Sequence, residues 1–279
     1  MIIDFHTHTF PEKIAEAALA RLSAASRSRA FTKGTETALL ASAEAAGIDL
    51  CVVQPVATNP EKVARINELA AKGNRGGGVL SFGCIHPAAT DALSQVDYAA
   101  ELGLPGLKLH PVYQGVAADD VRTVRILERA REKGLLVLFH AGDDIGFPGD
   151  TAASPEKLRR AVLESGAGES VVMAHMGGWK NWERVADALL DTGVYLDTSF
   201  SLGRIPGLCG AYSPEEERLL DPHFFCEMVR TFGSERILFG TDSPWTSQAE
   251  SLAAIRALDL TKKEKDDILG ESAKRLLKL

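Results

Sequence analysis

The chain has 279 residues, of which 45% are hydrophobic and 25% are charged, a composition typical of a globular protein with a full apolar core. Its formal net charge of -7 argues against a nucleic-acid partner, because phosphate binding needs concentrated lysine and arginine. The longest apolar runs are far shorter than the roughly 18 residues of a membrane helix, so we expect no membrane partner. We also expect no signal peptide, since the first residues read as a strand. Four widely spaced cysteines without a CxxC pair favour buried thiols and a cytoplasmic location.

Strand-like and helix-like stretches alternate along the chain. Eight strands are predicted, at 2–6, 50–55, 78–85, 106–110, 135–140, 170–175, 194–198 and 236–240. Helices are predicted at 60–72, 91–102, 119–133, 182–190, 248–258 and 261–277, with further helix starts at Ser154 and Ser213. Several strands are apolar almost without interruption, which is typical of parallel strands covered on both faces.

Eight β-α units in a chain of this length indicate an α/β protein, a single (β/α)8 TIM barrel with a C-terminal helix. We expect one domain over 1–279. A doubly wound open sheet is the alternative, but it would more often show a glycine-rich turn after the first strand, and the sequence has none there.

Most histidines lie at the ends of predicted strands, where the active site of a TIM barrel forms. Six of the seven do so: His6, His8, His86, His110, His140 and His175. Because side chains alternate along a strand, His6 and His8 point to the same side and can reach one metal ion. Asp242 follows the last predicted strand. The sequence therefore predicts a metal site of imidazoles and one carboxylate.

These motifs resemble the amidohydrolase superfamily. The resemblance is carried by His6-Thr7-His8, His140, His175 and Gly240-Thr241-Asp242-Ser243-Pro244. The sequences at 107–111 and 271–277 are similar to its amidohydrolase-related branch, which includes aminocarboxymuconate semialdehyde decarboxylase, related decarboxylases and lactone hydrolases. The resemblance implies one ion per chain, bound by His6, His8, His140 and Asp242, with Asp242 and His175 as catalytic residues. Binuclear members carry a carboxylated lysine at the fourth strand. Here Lys108 lies two residues deeper than His110, so a binuclear site is the less favoured alternative.

Three further residues are candidates for binding the substrate: His110 at a strand end, Arg204 in the long segment after the seventh strand, and Trp245 beside Asp242. Segments 10–29, 141–153 and 199–213 read as loops that would set specificity. We expect a small, anionic substrate. A homodimer is expected only from the resemblance.

The ligand chemistry together with the resemblance suggests a hydrolase that uses metal-activated water on the C–O or C–N bond of a lactone, amide or ester, although the ligands alone do not distinguish hydrolysis from decarboxylation. The alternative is a metal-dependent, non-oxidative decarboxylase of a small carboxylated ring or enoate. A metal-free binding barrel is a second alternative. Zn²⁺ is the expected ion, and Mn²⁺, Fe²⁺ or Co²⁺ would also suit these ligands.

Overall fold

A computed structural model of the chain describes residues 1–74 and 76–279. The strands are β1 Ile3–Thr7, β2 Leu50–Val53, β3 Val79–Ser81, β4 Gly83–Cys84, β5 Gly106–Leu109, β6 Leu136–Phe139, β7 Val171–Met173, β8 Tyr195–Asp197 and β9 Ile237–Leu238. The α-helices are α1 Glu12–Ser26, α2 Glu36–Ala46, α3 Val63–Gly73, α4 Ala92–Glu101, α5 Pro111–Gln114, α6 Val121–Glu132, α7 Pro155–Ser165, α8 Val185–Leu189, α9 Pro222–Phe232, α10 Gln248–Ala257, α11 Lys262–Asp266 and α12 Ser272–Leu277.

Contacts group the chain into two compact units. The first unit contains Met1–Val53 and Asp197–Leu279, and the second contains Gln54–Leu196. The organisation of the whole chain as one domain stays a prediction. Among the described residues, no helix combines the length and the hydrophobicity that crossing a bilayer requires.

Parallel pairing in the first unit gathers several strand ends. β1 pairs with β2 in parallel. On its other side, Phe5 in β1 donates a backbone hydrogen bond to Phe239 just beyond β9, at 2.7 Å. Thr198, just beyond β8, donates to Leu238 in β9 at 3.0 Å. Because the carboxyl ends of parallel strands meet at one edge, the residues that follow β1, β8 and β9 lie close together.

The second unit contains a parallel ladder of β4, β5, β6, β7 and β8 up to Leu196. Its strands are buried over most of their length; Val137, Leu138 and Phe139 of β6 are at most 1% exposed. This burial explains the uninterrupted apolar runs in the sequence. β5, β6 and β7 end just before His110, His140 and His175, so the ladder brings these histidines to one edge.

Each predicted strand is found within a few residues of its predicted position. The prediction at 78–85 divides at Phe82 into β3 and β4. The terminal helix at 261–277 is helical as predicted, but a π-helical turn at Asp267–Glu271 separates α11 from α12.

The helix predictions were less complete. Segment 10–29 is largely helix α1 rather than a loop, and neither α2 nor the bounds of α9 were predicted. α1 is rich in alanine and buries only Ala15 and Ser26, so it lacks the apolar stripe that marks a helix in sequence. α9 carries a readable start signal, because the Asp221 side chain accepts hydrogen bonds from the amides of His223 and Phe224.

The predicted helix start at Ser213 is wrong. Its cap does form, since the Ser213 amide donates to Glu216 and the Glu216 amide donates back to the Ser213 hydroxyl. The chain then leaves the helical path after one turn, because Arg218 forms an antiparallel bridge with Arg204. A local cap therefore did not decide the structure of this segment.

Candidate metal centre

Three side chains of the first unit converge on one point. His8 Nε2 lies 3.2 Å from His6 Nε2 and 3.1 Å from Asp242 Oδ1, and His6 Nε2 lies 3.5 Å from the same Asp242 oxygen. Donors bound tetrahedrally to one ion at about 2.0–2.1 Å stand about 3.3–3.4 Å apart. The observed spacings fall on either side of this value. The three residues therefore fit a divalent transition metal in both chemistry and distance.

The orientation of the two imidazoles also fits a shared ion. The ring planes of His6 and His8 are inclined by 69°, with centroids 5.0 Å apart. The lone pair of an imidazole nitrogen lies in the plane of its ring. Two inclined planes intersect along a line, so one ion on that line can accept both lone pairs.

Asp242 is presented by an unusual backbone turn. Its φ angle of 65° is in the left-handed region, which a non-glycine residue adopts only when its surroundings hold it there. Its amide donates to the carbonyl of His6 at 2.7 Å, and its carbonyl accepts from the amide of Trp245 at 2.8 Å. These bonds tie the turn directly to the strand end that carries the two histidines.

Thr241, the residue before this turn, is held by Asp4, which is fully buried. Asp4 accepts hydrogen bonds from the amide of Thr241 at 2.9 Å, from its hydroxyl at 2.6 Å, and from the Gln248 amide group at 2.8 Å. Burial raises the pKa of Asp4 to about 7, while the hydrogen bonds from Thr241 and Gln248 act in the opposite direction. Asp4 thus fixes the peptide that leads into Asp242.

A second group of possible metal ligands lies in the second unit: His110, His140 and Asp144. Asp144 Oδ2 is 3.5 Å from His110 Nε2 and 3.9 Å from His140 Nε2. The two rings are stacked, with centroids 4.1 Å apart and planes only 9° from parallel. Nearly parallel planes do not meet near the rings, so these two lone pairs cannot share an ion. This group fits a stack of rings beside a carboxylate, not a metal site.

The two ring nitrogens of His140 have different partners. Its Nε2 lies 3.2 Å from the carbonyl oxygen of Asp143, which only accepts, so Nε2 carries the hydrogen. Its Nδ1 therefore keeps a lone pair and lies 3.1 Å from His175 Nε2. His140 is therefore oriented by a backbone carbonyl, as metal-binding histidines usually are, while its Nδ1 faces His175.

His110 continues into a row of aromatic rings. Its Nδ1 accepts from the amide of Tyr113 at 3.3 Å, which leaves the hydrogen on Nε2 facing Asp144. The ring of Tyr113 stacks on His110 at 3.9 Å, and Phe147 lies 5.4 Å beyond Tyr113. Phe147 is 50% exposed. The row therefore leads from the buried His140 to a solvent-exposed ring.

The other candidates lie as follows. Arg204 is exposed and forms an ion pair with Glu217. Trp245 is half-buried next to Asp242. Lys108 is buried in β5, and His86 is buried with its Nδ1 accepting from a backbone amide at 3.1 Å. The roles predicted for the site residues, including His140 as a fourth ligand and His175 as a catalytic residue, stay predictions.

Sequence reasoning missed several acidic residues of these sites. Asp197 ends β8 and lies 2.8 Å from His6 Nδ1. Its signal was available, because it is a carboxylate that ends an apolar run, as Asp242 is. Asp4 interrupts a buried strand in the same way. Asp144 had no such signal, since it lies in an irregular segment after β6.

A family model described as amidohydrolase matches residues 3–279. The chain belongs to the amidohydrolase family. The resemblance carried by His6-Thr7-His8 and the Asp242 motif is thereby confirmed, and the chain is an enzyme of this superfamily. No curated protein matches this amidohydrolase.

Solved structures similar to this amidohydrolase cover nearly its whole length. An uncharacterized TIM-barrel protein from Bordetella bronchiseptica has a TM-score of 0.75 at 20% identity, covering 99% of this chain and 98% of that chain. The 5-carboxyvanillate decarboxylase LigW from Sphingomonas paucimobilis has a TM-score of 0.68 at 16% identity, covering 100% and 99%. A dihydroxybenzoic acid decarboxylase from Polaromonas sp. JS666, with bound manganese and the inhibitor 2-nitroresorcinol, has a TM-score of 0.68 at 13% identity, covering 100% and 97%. These similarities show the fold, and the predicted α/β TIM-barrel class is confirmed.

Proposed function

We propose that this amidohydrolase is a metal-dependent decarboxylase that removes CO2, without oxidation, from a small carboxylated ring. The convergence of His6, His8 and Asp242 on one point is the observation that carries metal dependence. Among the similar folds, the decarboxylases from Sphingomonas and Polaromonas support decarboxylation over hydrolysis. The proposed reaction is thus decarboxylation, the alternative expected from sequence, rather than hydrolysis, the main expectation.

The proposed ligands in the first unit are His6 Nε2, His8 Nε2 and Asp242 Oδ1, and His140 stays the predicted fourth. A bound divalent ion would polarise the substrate oxygens it touches and would stabilise negative charge that develops on them. Imidazole and carboxylate donors suit zinc, manganese, iron and cobalt. The manganese in the Polaromonas decarboxylase makes manganese as strong a candidate as zinc.

His175 is the proposed proton donor. When the carboxyl group leaves as CO2, the carbon–carbon bond breaks and its electron pair stays on the ring carbon, which must then take up one proton. His140 Nδ1 and His175 Nε2 lie 3.1 Å apart, and His140 already carries its own hydrogen on Nε2. In the metal-free, neutral pair, the hydrogen between the two rings therefore belongs to His175. As a metal ligand, His140 Nδ1 would exchange this hydrogen bond for the ion and leave the His175 hydrogen for the substrate. Only the imidazolium form of histidine gives up a proton near neutral pH, so His175 would act in its doubly protonated form and would regain the proton from water during turnover.

A planar substrate is proposed because a row of aromatic rings lies beside His140 in the second unit. The stacked rings of His110 and Tyr113 continue to Phe147, and aromatic rings bind one another in stacked or tilted arrangements. Arg204 and Trp245 are kept as proposals for contact with the substrate. The Arg204 guanidinium would have to exchange its partner Glu217 for a substrate carboxylate.

Product analysis tests the reaction. Metal-free protein would be reloaded with Zn²⁺ or Mn²⁺ and incubated with a panel of carboxylated phenols and, separately, with lactones. We expect CO2 release that requires metal and, in D2O, one deuterium on the carbon that lost the carboxyl group. Asp242→Asn, which removes the charge of one proposed ligand in a side chain of similar size, should lose most of this activity.

Two results would contradict the proposal in different ways. Incorporation of ¹⁸O from water into an opened lactone, without CO2 release, would instead establish hydrolysis. If the protein binds far less than one equivalent of every transition metal tested, and gains no activity when metal is added, a metal-free binding barrel would be favoured.

A further inference from the structure

His6 is held from behind by a buried carboxylate that does not belong to the proposed ligand set. Asp197, the last residue of β8, is fully buried, and its Oδ2 lies 2.8 Å from His6 Nδ1. The His6 side chain is only 1% exposed. Its other ring nitrogen, Nε2, faces His8 and Asp242. The imidazole therefore lies between Asp197 on one side and the proposed metal position on the other.

The Asp197 carboxylate is itself fixed by Ser199. Its Oδ1 accepts from the Ser199 amide at 2.9 Å and from the Ser199 hydroxyl. The same hydroxyl oxygen lies 2.9 Å from His6 Nδ1. All three residues are buried. This hydrogen-bond set leaves Asp197 little freedom to turn away from His6.

The chemistry of these partners decides which nitrogen of His6 carries hydrogen. An ionised carboxylate only accepts hydrogen bonds, so a contact of 2.8 Å requires hydrogen on Nδ1. In a neutral imidazole, Nε2 then keeps its lone pair. With the opposite tautomer, a hydrogen would occupy the space between His6, His8 and Asp242, and no metal could bind to that nitrogen.

We propose that Asp197 is a positioning residue that holds His6 in the tautomer, and at the ring angle, needed for metal binding. The inference rests on the proposed metal dependence but not on the reaction catalysed. It assigns to Asp197 no contact with the substrate. Its effect is therefore expected on metal affinity and on the state of the His6 ring.

The first test is made on the wild-type protein without metal. Uniform ¹⁵N labelling of histidine and two-dimensional NMR distinguish hydrogen on Nδ1 from hydrogen on Nε2, and a His6→Gln variant identifies the His6 signal. We expect hydrogen on Nδ1 of His6. Hydrogen on Nε2 of His6 would overturn the proposal, and this outcome does not depend on any variant of Asp197 folding.

The second test measures the dissociation constants of Zn²⁺ and Mn²⁺ by competition with a chelator of known affinity. Asp197→Asn, whose amide can also donate to Nδ1 and so allows the wrong tautomer, should bind metal about 10- to 100-fold more weakly. Ser199→Ala keeps the carboxylate and is the matched control, with an expected loss of about threefold or less. Wild-type affinity in Asp197→Asn would overturn the proposal. Absence of metal binding by the wild type would instead overturn the proposed function, whatever the tautomer of His6.

Discussion

Gly142 lies two residues after His140, at a position where any side chain would meet the backbone of another segment. Its φ angle is +88°, and a Cβ atom added to it would lie 2.2 Å from the Trp179 nitrogen and 2.5 Å from the Gly178 carbonyl carbon. Two backbone hydrogen bonds of 2.9 and 3.0 Å hold the two segments in this arrangement. Because the obstructing atoms are backbone, they cannot rotate away.

Gly142→Ala is therefore expected to destabilise the protein by two separate effects. The left-handed conformation costs an L-residue about 1–2 kcal/mol. The displacement of packed backbone adds about 1–3 kcal/mol, so the free energy of unfolding should fall by about 2–5 kcal/mol. Gly134→Ala is the matched control, because Gly134 has a φ of +70° but no atom within 4 Å of the added Cβ. In Gly134→Ala, the free energy of unfolding should fall only by the cost of the left-handed conformation.

Urea unfolding of the two variants, followed by circular dichroism, separates these effects. The segments that would move apart follow β6 and β7 and contain His140 and His175. Gly142→Ala should therefore also lower turnover more than Gly134→Ala does. Equal losses of stability in the two variants would refute the reasoning, since the close backbone approach would then contribute nothing.

Three further predictions concern individual side chains. Burial and the charge of Arg122 lower the pKa of His86, so the folded protein favours the neutral ring and the free energy of unfolding should fall as the pH drops below about 6.5. His86→Asn, which keeps a hydrogen-bond acceptor but does not titrate, should show a shallower decrease between about pH 7 and 5, and an unchanged slope would contradict this. Phe147→Ala should raise KM for an aromatic acid about 2- to 10-fold with little change in kcat, whereas Phe147→Tyr should not; equal KM values would exclude a contact with the substrate. Finally, His110→Gln should leave metal affinity within about threefold of wild type, while His8→Gln should lose it by a factor of about 100 or more, as measured by chelator competition.

The strands could be predicted from sequence because their burial leaves a direct trace. A parallel strand covered on both faces must be apolar throughout, and a polar residue at its end then stands out, as His140 does after Phe139. Helices α1 and α2 leave a weaker trace. They bury few side chains and are rich in alanine, which packs at a helix surface without producing an apolar stripe. Helix content in such segments depends on tertiary contacts that the local sequence does not record.

The membership of the candidate site was predictable to the same degree, but its geometry was not. Spacing along strands identifies which imidazoles reach one edge of a sheet, and on that criterion His110 and His175 are equivalent neighbours of His140. The structure separates them by ring orientation, because His175 is inclined to His140 by 66° whereas His110 is inclined by only 9°. An inclined ring can direct its N–H at the lone pair of His140, whereas a stacked ring cannot. Ring orientation depends on side-chain torsions and on hydrogen bonds from irregular segments, such as the Asp143 carbonyl that fixes His140. A histidine at a strand end is therefore a candidate ligand by sequence, and its hydrogen-bond partners decide whether it can be one.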